Sequence, residues 1–120
     1  MNILLKRAYE EASKKDGFRI LVDRIWPRGV SKEFADIDFW AKDVTPSTSL
    51  RKWFSHDPQK WELFKESYVA ELENTPDAVD AFVGLVQEHP IVTFVYGAKD
   101  QEHTHALILK EYVESREEAL

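Results

Sequence analysis

The stretch His89-Pro90-Ile91-Val92-Thr93-Phe94-Val95-Tyr96-Gly97-Ala98-Lys99-Asp100 decides the fold of this chain. Pro90 stops the helix that precedes it, and Ile91–Tyr96 (IVTFVY), β-branched and aromatic, is the clearest strand in the sequence. Gly97 breaks it, and a polar loop runs to His103 before a closing helix over about Thr104–Arg116. Upstream, Thr75-Pro76 opens a helix with Val79, Phe82, Val83 and Val86 on one face. Before that, Asp57-Pro58 is a cap-then-proline start, followed by Trp61, Phe64, Tyr68 and Leu72 at helical spacing through about Glu73. Ser47–Phe54 is a short helix. Ile37–Val44 reads either as a short strand, from the alternation of Ile37, Phe39 and Ala41, or as a helical turn. Phe18–Val22 (FRILV) follows the Asp16-Gly17 turn as a second strand, its near-continuous apolar run suited to burial on both faces. Ile3-Leu4-Leu5, extending to about Arg7, is a third.

Strands alternating with helices predict an α/β fold. The expectation is one domain over residues 1–120 with a small, mostly parallel sheet of about four strands. Helices flank it as a Rossmann-like three-layer or two-layer sandwich. Ligands on such sheets bind beyond the carboxyl ends of the strands. Two loops leave those ends, Asp23–Lys32 and Gly97–His103.

At 120 residues and 43% apolar, the chain has enough hydrophobic material for one core and is not disordered. It has no cysteine, which excludes disulfides, thiolate metal sites and thiol nucleophiles. The opening residues carry no apolar run of signal-peptide length and no stretch approaches a membrane span, so a cytoplasmic location without membrane partners is expected. The net charge of −6 is uneven: residues 1–60 hold 12 Lys and Arg against 9 Asp and Glu, and residues 61–120 hold 4 against 13. Five of the six arginines (Arg7, Arg19, Arg24, Arg28, Arg51) lie in the first half. This pattern points to a local anion site on an acidic, solvated background. It does not favour duplex nucleic acid, which needs a broadly basic face.

Three stretches carry candidate chemistry. In Asp23-Arg24-Ile25-Trp26-Pro27-Arg28-Gly29, Arg24 and Arg28 offer planar forks of donors for carboxylate or phosphate. Trp26 offers a flat wall, and Gly29 would let backbone approach a ligand; the alternative is a salt-bridged loop that closes the fold. In Lys42–Phe54, Thr45-Pro46 or Ser47 caps a helix whose first amides would be free for an anion. Arg51 one turn later, with Lys42, would add charge. In Tyr96–His105, Lys99 would bind an anion, Asp100 is a base or a cap, and His105 is a ligand contact, a general acid/base or a half-buried structural histidine. His103 and His105 beside Asp100 raise a metal site, but residues two apart on a helix point to nearly opposite sides. No metal and no cofactor is therefore expected. His56, ahead of a helix cap, reads as structural. No nucleophile elbow, His-Glu-x-x-His or Cys-x-x-Cys pattern appears, so nucleophilic catalysis is unsupported.

The stretches LVDRIWPRGVSKE, FWAKDVTPSTSLRKWFSHDPQKWELFKESYVAEL and VTFVYGAKDQEHTHALILKEYV resemble the YeaO-like family, domain of unknown function 488, over nearly the whole chain. The resemblance implies a small bacterial or archaeal α/β sandwich with no established reaction. It places the family's shared motifs on Asp23, Arg24, Trp26, Pro27, Arg28, Gly29, Lys42, Pro46, Ser47, Arg51, Trp53, Phe54, Tyr96, Ala98, Lys99, Asp100 and His105. Longer relatives carry Cys-His-Arg where this chain has Thr104-His105-Ala106, which removes any thiol chemistry here. A methyltransferase label carried by some members finds no cofactor-binding motif.

Two function classes follow. One is an enzyme acting on a small anionic molecule, with Asp23, Asp100 or His105 moving protons and Arg24, Trp26, Arg28, Lys42, Ser47, Arg51, Tyr96 and Lys99 holding the ligand. The other is a non-catalytic module that uses the same residues to bind a metabolite or a single-stranded nucleic acid. The oligomeric state is open.

Overall fold

The computed structural model describes residues 2–118. Four strands, β1 (Asn2–Arg7), β2 (Phe18–Leu21), β3 (Phe39–Trp40) and β4 (Ile91–Tyr96), form one sheet in the order β1-β4-β2-β3. Every pairing is parallel, with Leu5 opposite Phe94, Ile20 opposite Phe94 and Ile20 opposite Phe39. The helices are α1 (Lys32–Ala35), α2 (Thr48–Phe54), α3 (Trp61–Glu73), α4 (Pro76–Gln87) and α5 (His105–Glu118). The expected small parallel α/β fold is the one observed.

The two apolar runs end up side by side at the centre because each must bury both faces. One face of the sheet meets helices. Ile20, Val22, Val92, Phe94 and Tyr96 join Phe64, Tyr68 and Leu72 of α3, Val79, Phe82, Val83 and Val86 of α4, and Ile108, Leu109 and Val113 of α5 in one core. The other face meets loops. Ala8, Leu21 and Val95 are covered by Trp26, Val30 and Ile37 from the segments on either side of α1 and by Trp40 of β3. The sandwich is therefore two-layered in its helices, with a loop layer closing the second face.

An ionic network fills the rest of that second face. Arg19 is only 2% exposed; its guanidinium donates to Asp16 Oδ2 at 2.5 Å and to the Ala35 carbonyl at 3.0 and 2.7 Å. Lys6 joins Asp16 from β1 at 3.0 Å, and the Thr93 hydroxyl donates to the Asp16 carbonyl at 2.7 Å. Burial alone would raise the Asp16 carboxyl, but the Ser13 amide, Lys6 and Arg19 together hold it below its ordinary value. Gly17 makes the turn into β2 with φ of +64°, and a Cβ there would stand 2.2 Å from the Ile91 carbonyl oxygen. Only glycine fits both the backbone angle and the approach to β4.

Local signals set the helix boundaries. Pro58 opens a 3-10 turn at Pro58–Lys60, with the Asp57 carboxylate accepting from the Gln59 amide at 3.0 Å, and α3 begins directly after it. Pro76 starts α4, but the Thr75 hydroxyl does not cap it; it donates back to the Glu71 and Leu72 carbonyls, each at 3.3 Å. Ile37–Val44 resolves into both of its readings: the short strand β3, then a 3-10 turn at Lys42–Val44. Helix α1 lies where the sequence shows only loop; Ser31 caps it by accepting from the Phe34 amide at 3.0 Å.

Candidate functional site

β2 and β4 are neighbours, and the loops that leave their carboxyl ends meet. Asp23, just past β2, accepts the Gly97 amide on Oδ2 at 2.8 Å. A Cβ on Gly97 would stand 3.1 Å from that oxygen, so the small residue belongs to the contact. Asp23 Oδ1 lies 3.2 Å from His105 Nε2, at the first turn of α5. The same nitrogen lies 2.8 Å from the Val22 carbonyl. Both neighbours accept, so Nε2 carries a proton. The N–H is directed to Val22, and Asp23 Oδ1 beside it is buried without a hydrogen-bond partner.

This clamp forms one wall of a cavity of about 490 Å³. Arg24, Arg28, Arg51, His56, His103, Thr104 and His105 line it together with Ile25, Trp26, Phe54 and Phe64. Its volume falls in the range of small-molecule sites, roughly 300–1,000 Å³. Phe54 and Phe64 stack at 4.1 Å between ring centres and make an apolar wall. Three exposed arginines line this space. Arg24 Nε donates to the Pro46 carbonyl at 3.1 Å. Among the described residues, no carboxylate lies within ion-pair distance of Arg24, Arg28 or Arg51. The other two N-terminal-half arginines are ties. Arg19 belongs to the buried network, and Arg7 donates to the Ala98 and Gly97 carbonyls at 2.8 and 3.2 Å, fastening the loop after β4.

Trp26 is half-buried and borders the cavity on one side only. Its indole N–H donates to the Val30 carbonyl at 2.7 Å, and its ring meets Trp40 edge-on at 5.5 Å. Gly29 has φ of +78° with open space where a Cβ would be, so it serves the turn rather than a close ligand approach. Gly97 is the residue that makes a close approach.

Five expected site residues lie outside the cavity lining. Ser47 does cap α2, accepting from the Leu50 amide at 3.2 Å, but an internal anion already occupies that helix start. Glu71 of α3 accepts the Ser47 amide at 2.8 Å and its hydroxyl at 2.6 Å. Lys42 lies over the Trp40 ring at 3.8 Å. Tyr96 is 3% exposed and packed in the helix-side core, its phenol raised by burial and then by Glu10. Lys99 is exposed at the tip of its loop. Asp100 is a loop cap: it accepts the Glu102 and His103 amides at 3.0 and 3.1 Å and pairs with His103 Nδ1 at 2.8 Å. The hydrogen bond from His103 holds its carboxyl below the ordinary value. His103 and His105 thus face different carboxylates.

His56, read from the sequence as structural, also lines the cavity. It follows Ser55, and both have positive φ, +45° for Ser55 and +58° for His56. Two consecutive left-handed residues without glycine turn the chain sharply after α2 and bring the imidazole to the cavity. The signal for this, a His directly before Asp-Pro, is too common to carry weight. Tyr9 was also unforeseen; it lines the cavity, and its hydroxyl donates to the Arg28 carbonyl at 3.1 Å.

A family model described as "Inactive DUF488-N3 subclade" matches residues 2–119. The uncharacterized protein YeaO of Escherichia coli is 41% identical over 115 residues, which span 96% of this chain and 99% of that protein. An uncharacterized protein of Mycobacterium tuberculosis is 34% identical over 114 residues, 95% of each chain. No solved structure matches it. The chain belongs to the YeaO-like DUF488 family, within the DUF488-N3 branch described as inactive.

Proposed function

We propose that the chain is a non-catalytic binding domain that holds a small anionic molecule in the cavity between the carboxyl ends of β2 and β4. One observation carries this reading: Arg24, Arg28 and Arg51 line a single cavity with no carboxylate paired to any of them among the described residues. In an acidic chain of net charge −6, carboxylates are plentiful, yet these three arginines have none, whereas the buried Arg19 has Asp16 and Arg7 is held by two backbone carbonyls. Guanidinium forks left open toward a cavity suit phosphate or carboxylate. Asp23 and His105 then act as positioning residues, because their hydrogen bonds to Gly97 and Val22 tie the loop that carries Arg24 and Arg28 to the exit of β4 and the start of α5.

A second reading, acid–base catalysis, draws on the Asp23–His105 pair itself. It is disfavoured because the N–H between them is directed to Val22 and the other carboxylate oxygen to a backbone amide, and the family description points the same way. The test is a thermal-shift series at low salt with phosphate, sugar phosphates, nucleotides and dicarboxylates. A ligand that binds the native state raises the Tm by mass action. The expected result is stabilisation by one anion class, lost in Arg28→Gln, with no turnover of the stabilising compound. Absence of any anion-induced shift would sink the binding reading, and turnover abolished by His105→Gln would favour the enzyme.

A further inference from the structure

The walls of the cavity hold more than its arginines, and they bear on what the anion is attached to. Counting formal charge at neutral pH, Arg24, Arg28 and Arg51 oppose Asp23 alone among the acidic residues of the lining, leaving a surplus of two before any histidine protonates. That surplus matches a dianion. A carboxylate carries one charge, whereas a phosphate monoester carries nearly two at neutral pH, its second pKa lying near 6.

The remaining wall is mixed: Ile25, Trp26, Pro46 and Ala98 share it with His56, His103, Thr104 and His105. Ile25 is 59% exposed although it sits between Asp23, Arg24 and Trp26 at the cavity. Such a side chain left in water, with the half-buried Trp26 next to it in the chain, is apolar surface available to a ligand, whereas the stacked Phe54 and Phe64 are 4% and 2% exposed and belong to the core. A bare phosphate ion would fill only a small part of about 490 Å³ and touch none of this apolar surface usefully.

We propose that the cavity takes a phosphate monoester whose organic part carries a planar ring, with the phosphate on Arg24, Arg28 and Arg51 and the ring against Ile25 and Trp26. The proposal rests on the anion-binding reading above and narrows it to dianionic, ring-bearing monoesters. Nucleoside monophosphates are the largest natural group of that chemistry. Selectivity comes from two separable parts, the guanidinium cluster for charge and the apolar surface of Ile25 and Trp26 for the ring.

Calorimetric titration of the whole chain at low salt and pH 7.5 separates them. The probes are inorganic phosphate, phenyl phosphate, adenosine monophosphate, adenosine and benzoate. The expected result is that phenyl phosphate or adenosine monophosphate binds at least about tenfold tighter than inorganic phosphate, benzoate and adenosine, about 1.4 kcal/mol. Ile25→Ser, at a solvent-exposed position where the fold does not depend on the side chain, is expected to weaken the ring-bearing monoester several-fold and leave inorganic phosphate unchanged. Arg28→Gln is expected to weaken both. Equal binding of inorganic phosphate and the two monoesters would overturn the ring assignment while leaving the anion reading standing. Benzoate as tight as phenyl phosphate would overturn the dianion assignment in the same way. If no probe binds at all, the anion reading beneath it fails as well.

Discussion

Asp23 and His105, 82 positions apart in the chain, stand 3.2 Å from one another across the carboxyl ends of two adjacent strands. With its second oxygen on the Gly97 amide, Asp23 ties together the exit of β2, the exit of β4 and the start of α5.

Asp23→Ala leaves the Gly97 amide without its acceptor and removes the carboxylate beside His105. A half-buried donor deprived of its bond costs about 1–3 kcal/mol. Urea unfolding should show a loss in that range with an unchanged m-value, and a loss below about 0.5 kcal/mol would mean the clamp is incidental.

Arg28→Gln and Arg51→Gln should leave stability within about 0.5 kcal/mol of wild type, since neither side chain has an ionic partner among the described residues. Arg24→Gln removes the bond to the Pro46 carbonyl and should cost about 1 kcal/mol. Chemical denaturation of the three variants side by side measures the contrast. A large loss on Arg28→Gln or Arg51→Gln would identify that side chain as a strut of the fold.

The buried Asp16 network makes stability fall in acid. The Asp16 carboxyl titrates lower in the folded chain than in the unfolded one. On lowering the pH, the unfolded state therefore takes up the proton first, and stability present above about pH 4 is lost progressively below it. Asp16→Asn should remove that part of the pH dependence. It should also lower neutral-pH stability by about 3–5 kcal/mol, because Arg19 is left charged, buried and unpaired. Stability curves measured from pH 2 to pH 7 on both proteins give the comparison; parallel slopes would count against the assignment.

Two glycines should respond in opposite directions to the same substitution. Gly17→Ala forces a Cβ to 2.2 Å from the Ile91 carbonyl at φ of +64°, and loss of several kcal/mol or failure to fold is expected. Gly84→Ala lies within α4 with open space around the new methyl, and a gain of roughly 0.5–1 kcal/mol is expected. Thermal melts of the pair report both signs at once.

The sequence by itself was enough to locate the strands at β1, β2 and β4, the helices α2 to α5, and the two loops beyond the strand ends. Their signals are local: β-branched runs, apolar residues at helical spacing, and Pro or Asp-Pro at the helix starts, each acting over a single element. Ile37–Val44 could not be divided from the sequence because β3 is two residues long and owes its existence to its neighbour β2. What only the tertiary structure decided is the job of each charged side chain. Arg7 and Arg19 look in sequence like Arg24, Arg28 and Arg51, yet Arg7 is fastened to a carbonyl 91 positions away and Arg19 to a buried carboxylate, while the other three face a cavity. Ser47 carries every local mark of an open helix start, and a glutamate 24 positions on has filled it. Whether a charge is satisfied depends on what the fold brings within about 4 Å of it. That distance is set by packing between elements, which no local pattern records.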